Sequence, residues 1–227
     1  LRSGAGGVEA DAVDRFPDHV DHVLAMMSPA GAALRLGSGE HVLRATPHAT
    51  SVPMIWLLGS SDFSARLAAS RGLPYVFAHH FSGRGTAEAL ALYREGYQPS
   101  PEHPEPRTFL TVNVVVAPTQ AQAQRLVQPM VRTMVALRTG QPLTPQETVE
   151  EAEARGVMVA HQPLADEMAS RWVVGDPQQA AARVRGLAAT FDVDEVMVSP
   201  VAGSFAGTPV RRSPAREETL RLLADAM

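Results

Sequence analysis

The residues best suited to chemistry lie in one short stretch, Gly59-Ser60-Ser61-Asp62-Phe63-Ser64. An apolar run, Val52 to Leu58, ends at the glycine. A segment with helical spacing follows at once, presenting Phe63, Leu67 and neighbouring alanines before it closes at Gly72. The first amides of a helix lack partners within it and carry the positive end of its dipole. Serine hydroxyls beside those amides complete a cradle for phosphate or another anion, and glycine lets the backbone come close. Phosphate binding at Ser60, Ser61 and Ser64 is one reading; the other is that Ser61 only caps the helix. There is no glycine triad of a dinucleotide fold and no Walker-type Gly-Lys-Ser/Thr.

Other groups invite chemistry less strongly. His79-His80 closes an apolar strand, so one ring should point inward and the other outward, a poor arrangement for a shared metal. The two histidines either line a cavity or are hydrogen-bonded parts of the structure. Asp194-Glu195 precedes a strand and reads as a solvated turn, and Asp176-Pro177 as a helix entry with proline in the first turn. The loop 199–207 is long enough to act as a lid; Arg211 and Arg212 after it read as surface arginines. His19 and His22 share a helix face and read as solvent-exposed, and Met26 and Met27 as core or interface filler. No residue is an evident catalytic acid or base.

The elements that would position these groups alternate regularly. An amphipathic helix runs from about Ala12 to Met27, its regular part beginning near Phe16 because Pro17 is tolerated only in a first turn. Residues 29–51, rich in Gly, Ala, Ser and Thr, read as a long irregular connection. Val52 to Leu58 and Pro74 to Ala78 read as strands covered on both faces, since neither alternates. A helix over Thr86 to Tyr97 precedes the strand Phe109 to Ala117 and the helix Thr119 to Leu137. A helical excursion, 145–171, leads to Trp172-Val173-Val174-Gly175-Asp176, a helix from Pro177 to Thr190, the strand Glu195 to Ser199 and a final helix, Arg216 to Met227. The pattern implies right-handed βαβ units and a parallel sheet. Alternation alone leaves an open doubly wound sheet and a closed (β/α)8 barrel both standing; a barrel typically needs ~250 residues.

Bulk composition removes several classes. The 227 residues are 45% hydrophobic and 19% charged, with a net charge of -4 and a pI near 6.1. An acidic balance argues against nucleic acid or an anionic membrane as partner. No apolar run approaches the ~20 residues of a membrane span. With no cysteine there is neither a disulfide framework nor a thiolate nucleophile, which fits a cytoplasmic setting. All twenty Lys+Arg positions are arginine, a compositional bias of the chain.

From Trp56 to Phe81, with Gly59-Ser60-Ser61, Gly72-Leu73-Pro74 and Phe77-Ala78-His79-His80-Phe81, the sequence resembles the middle of the luciferase-like flavin monooxygenases. The likeness continues through 113–117, 174–177 and 194–198. It implies a parallel α/β fold of the (β/α)8 barrel type. It also implies that Ser60 and Ser61, and with less direct correspondence Ser64, hold the FMN phosphate at a strand's C-terminal mouth. Gly59, Ser60, Ser61, Ser64 and His80 are the cofactor-binding positions so implied; no catalytic residue and no metal site are assigned.

The family's reaction would then use reduced FMN, supplied by a flavin reductase, and oxygen to oxidise a small organic substrate. Homodimerisation stays open. Members carry four more strands upstream of the part matched here, so residues 1–227 are expected to be the C-terminal half of one such domain, about four βα units, with Leu1 at an internal position. Two alternatives remain: a half-barrel that binds flavin or another chain without autonomous activity, and a deazaflavin-dependent oxidoreductase of the same superfamily.

Overall fold

The structure is a computed structural model and describes residues 14–44, 46–47, 51, 53–81 and 83–227. It separates into two compact units, Leu1–Ile55 and Trp56–Met227.

In the first unit, α1 (Phe16–Met27) starts where Pro17 allows, in its first turn, and buries Val20. Ser28 ends it by donating its hydroxyl to Ala25 O at 2.8 Å. The stretch after it is not the irregular connection its composition suggests. β1 (Ala32–Leu36) and β2 (Gly39–Leu43) form an antiparallel hairpin, with Leu36 opposite Gly39. The two-residue turn is Gly37-Ser38, and Gly37 has φ +62°, a conformation glycine adopts without strain. The loop-like composition hid a hairpin signal, Gly-Ser between two runs containing leucine and valine.

The second unit is a parallel sheet with helices. In chain order its elements are β3 (Leu57–Gly59), α2 (Asp62–Ser70), β4 (Tyr75–Phe77), α3 (Thr86–Glu95), β5 (Thr108–Val116), α4 (Gln120–Arg138), α5 (Val149–Arg155), α6 (Gln162–Ala169), β6 (Val173–Gly175), α7 (Pro177–Phe191), β7 (Val196–Pro200) and α8 (Pro214–Ala226). All five strands are parallel, with β3 on β4, β4 on β5, and both β6 and β7 on β5. Successive residues of a strand turn their amides to opposite edges, so the hydrogen bonds show which neighbour takes which edge. Arg107 O accepts from Tyr75 N, and Ala117 N donates to Gly175 O; both positions are odd-numbered. Leu110 N donates to Glu195 O, and Val114 O accepts from Val201 N; both are even-numbered. Thus β4 and β6 follow one another along one edge of β5, and β7 takes the other. The sheet is four strands wide, β3-β4-β5-β7, with β6 as its fifth strand, and each of the five is followed by a helix, one βα unit more than the four or so expected. Among the described residues it does not close.

Its core explains the strongly apolar sequence of β5. Leu110, Val112, Val114 and Val116 face Ala180, Ala181, Val184 and Leu187 of α7 and Leu223 of α8. On the opposite face Val115 joins α4 through Ala123, Leu126 and Val127. The expectation for Val52 to Leu58 needs correction. Val52 lies outside the described residues, only Leu57–Gly59 is regular strand, and Leu58 is 61% exposed. Leu57 is buried, so this strand is covered on one face only.

Candidate functional site

The site is built where β3 gives way to α2. Ser61 is the residue before the first turn of α2, with extended backbone (φ -145°, ψ 161°), and its hydroxyl makes no capping bond to the helix. Ser60 and Ser61 are both exposed. The loop is held from behind. Ser64 donates its hydroxyl to Ser61 O at 2.8 Å, and the Tyr75 hydroxyl lies 3.3 Å from Ser64 Oγ. Because the Ser64 proton is spent on Ser61, the phenol of Tyr75 is the donor of that second bond. Burial pushes the Tyr75 phenol up, partly offset by the bond with Ser64. Gly59 O accepts from Ala78 N at 2.8 Å, tying the loop to the end of β4.

This arrangement can receive an anion. The first-turn amides of α2 and the exposed hydroxyls of Ser60 and Ser61 lie together on a braced backbone, at the positive end of a nine-residue helix. Ser64 differs from its neighbours because its hydroxyl turns inward and shapes the loop. Asp62, exposed in the first helical turn, adds a negative charge beside the same helix end.

β4 ends at Phe77, so His79 and His80 stand in the turn after it and not in the strand's pleat, yet their side chains diverge. His79 is buried, its Nδ1 lies 2.8 Å from Thr86 Oγ1, and its ring meets Phe191 of α7 edge-on at 5.3 Å. Burial, the leading cause, lowers its pKa to about 4. His80 turns to the other side, where its Nδ1 lies 2.7 Å from Thr111 Oγ1 on β5. Burial lowers its pKa as well. Asn113, two residues along β5, donates its side-chain amide to His80 O at 2.8 Å. Arg138, at the end of α4, donates to Phe81 O at 2.7 Å and lies 4.6 Å over the Phe81 ring. Sequence reasoning passed over Thr111 and Asn113. Their signal was two polar side chains two residues apart, hence on one face, inside an otherwise apolar strand.

The remaining candidates sort by position. Asp176 caps α7 in a reciprocal capping box with Gln179. Asp194 and Glu195 are exposed at the start of β7, at the end of the sheet away from the serines. The loop after β7 is not a free lid. Val201, Ala202 and Gly203 are buried, Gly203 N donates to Leu126 O at 2.7 Å, and Val149 N donates to Ser204 O at 2.9 Å. Those bonds dock it on α4 and α5. Arg211 and Arg212 are exposed, and Arg212 pairs with Glu217 at 3.2 Å. His19 and His22 are exposed on α1, and Met26 and Met27 are half-buried there. Among the described residues no group of three or more His, Asp or Glu could hold a metal, and no helix is long and apolar enough to cross a membrane.

Comparison with known proteins agrees with this layout. The family model for luciferase-like monooxygenases matches residues 4–193. The chain is 34% identical over 185 residues to the uncharacterized protein YvbT of Bacillus subtilis, covering 81% of this chain and 53% of that protein. It is 33% identical over 166 residues to a luciferase-like monooxygenase of Escherichia coli, covering 67% and 47%. The chain therefore spans about half the length of the curated relatives it matches. Among solved structures, apo-MsnO8 superposes with a TM-score of 0.74 at 27% identity, covering 95% of this chain and 61% of that one. The oxygenating constituent of 3,6-diketocamphane monooxygenase, solved with FMN, shares the fold at a TM-score of 0.63 and 15% identity, covering 98% and 68%. The open five-stranded sheet is thus part of a barrel of the (β/α)8 type, and the chain belongs to the luciferase-like monooxygenase family.

Proposed function

We propose that this chain carries the phosphate-holding mouth of an FMN-dependent monooxygenase acting on a small organic substrate. The observation that carries the reading is Ser61, which stands at the start of α2 without capping it, beside exposed Ser60, on a loop braced by Ser64 and Tyr75. When bound, reduced FMN supplies the electrons with which oxygen is activated and one of its atoms delivered to substrate. The protein's share is positioning. Ser60, Ser61 and the first amides of α2 hold the phosphate, while Gly59 and Ser64 set the loop that presents them. His80, held by Thr111 and Asn113 of β5, stands beside that loop as the further cofactor-binding side chain. We take the setting to be the cytoplasm, where a reductase can supply reduced FMN.

The test is a fluorescence titration of FMN against the protein and its Ser60→Ala/Ser61→Ala variant. A hydrogen bond to a charged group contributes about 1.5–3 kcal/mol, so each serine lost should weaken binding roughly ten- to hundredfold. Unchanged FMN affinity in the double variant would refute the phosphate site. One structural neighbour is a coenzyme F420-dependent tetrahydromethanopterin reductase, sharing the fold at a TM-score of 0.58. F420 is therefore titrated in parallel, and tighter binding of F420 than of FMN would transfer the proposal to the deazaflavin.

A further inference from the structure

We propose that Thr111 is a positioning residue that fixes His80 as the Nδ1–H tautomer, so that Nε2 offers its lone pair to a hydroxyl of a flavin's ribityl chain. The identity of the ligand rests on the flavin reading above; the tautomer does not.

Thr111 is 4% exposed, so its hydroxyl can look only to protein for partners. Three groups surround Thr111 Oγ1: Phe77 O at 3.2 Å, His80 Nδ1 at 2.7 Å and His80 N at 3.4 Å. A hydroxyl has one proton to give and two lone pairs to receive. If it donates to Phe77 O, it accepts from both His80 Nδ1–H and His80 N–H, and all three contacts are hydrogen bonds. If it donates instead to an unprotonated Nδ1, the contact with Phe77 O carries no proton and one bond is lost. Phe77 O accepts from His79 N at 2.8 Å in either arrangement, so the first arrangement is favoured by the one additional hydrogen bond it makes. A neutral imidazole protonated on Nδ1 is an acceptor at Nε2.

The surroundings agree. Burial holds His80 below the ordinary histidine range, so the ring is neutral at pH 7 and its tautomer is a meaningful property. Asn113 fixes the same residue from its carbonyl, so ring and backbone are both held from β5. Both holding side chains are buried in a strand whose other residues, after Thr108, are all valine, leucine or phenylalanine. His80 itself is only half-buried, and among the described residues its Nε2 makes no hydrogen bond. The phosphate loop is next door: Gly59 O holds Ala78 N, two residues before His80. Beyond a flavin's phosphate, the first donors it offers are the ribityl hydroxyls.

The first arm of the test is imidazole nitrogen NMR on the chain without flavin, with His80 assigned by loss of its signals in His80→Gln. The proton is expected on Nδ1 in the wild type and in Thr111→Ser, which keeps the hydroxyl. Thr111→Val, of the same shape, should release the ring to the Nε2–H form or a mixture. An Nε2–H ring in the wild type, or the same tautomer in Thr111→Val, would overturn the assignment. The second arm measures affinity of His80→Ala for FMN, riboflavin and lumiflavin, which lacks the ribityl chain. Losses of about tenfold are expected for the first two and none for lumiflavin. Equal losses for all three would overturn the ribityl contact. No flavin binding by the wild type would overturn the flavin reading and that contact together, while the NMR result still decides the tautomer.

Discussion

Ser64 Oγ stands 2.1 Å from the point where a Cβ on residue 59 would lie, so the loop closes onto Ser64 only because Gly59 has no side chain. The phosphate cradle thus depends on a glycine that never touches the ligand through a side chain. Gly59→Ala should force Ser64 aside and break its bond to Ser61 O. The strain should be about 1–3 kcal/mol, read as a lower midpoint in urea denaturation. FMN affinity should fall in parallel, whereas Ser64→Gly in the same background should restore stability but only part of the affinity.

Asp62 occupies the first turn of α2, beside the proposed phosphate. Its carboxylate competes for the same positive helix end. Asp62→Asn should tighten FMN binding by roughly two- to fivefold, the scale of one charge at a helix terminus, and the gain should shrink at high salt. Weaker binding in this variant, at low salt, would count against an anion at this helix end.

Much of this was legible in the sequence because the physics was local. The Gly-Ser-Ser turn and the first-turn prolines of α1 and α7 follow from backbone rules alone, whereas His79 and His80 part in a turn after β4 and not by the alternation of a strand. The hairpin at residues 32–43 was masked by small and polar residues whose composition is that of a loop. The exposure of Leu58 was not readable, because an apolar run cannot say whether a partner layer is present on each face. The split role of the three serines was also hidden. That Ser64 bends inward depends on Tyr75, eleven residues away on the next strand.

His79 gives the fold an acid-sensitive point. The unfolded chain titrates this residue near the ordinary histidine value of 6.5, and the fold lowers it to about 4 because burial disfavours the charged ring. Its contribution to stability is fully present above pH 6.5 and is lost as pH falls toward 4, since the unfolded state then binds the proton first. The loss should be on the order of 3 kcal/mol at most. Chemical denaturation of the wild type and His79→Asn across pH 4–7 checks this: the wild type should show the steeper decline, and parallel curves would contradict it.

The outer strands β3 and β7 each have a single ladder neighbour, and beside those edges Leu58 is 61% and Met197 49% exposed. Unpaired edges with apolar side chains promote association. Sedimentation of the chain should show concentration-dependent self-association, reduced in Leu58→Lys/Met197→Lys. A wild-type chain that stays monomeric at every concentration would show that these edges are satisfied within one copy.

The central claim, that Ser60 and Ser61 hold a flavin phosphate, is tested most directly by comparing FMN with riboflavin, which differs from it only by that phosphate. Calorimetric or fluorescence titrations of both ligands against wild type and Ser60→Ala/Ser61→Ala complete a four-way cycle. The account predicts that the wild type prefers FMN to riboflavin by a hundredfold or more and that the double variant loses most of that preference, at about 1.5–3 kcal/mol per serine. A preference for FMN that survives intact in the double variant would contradict it and move the phosphate elsewhere.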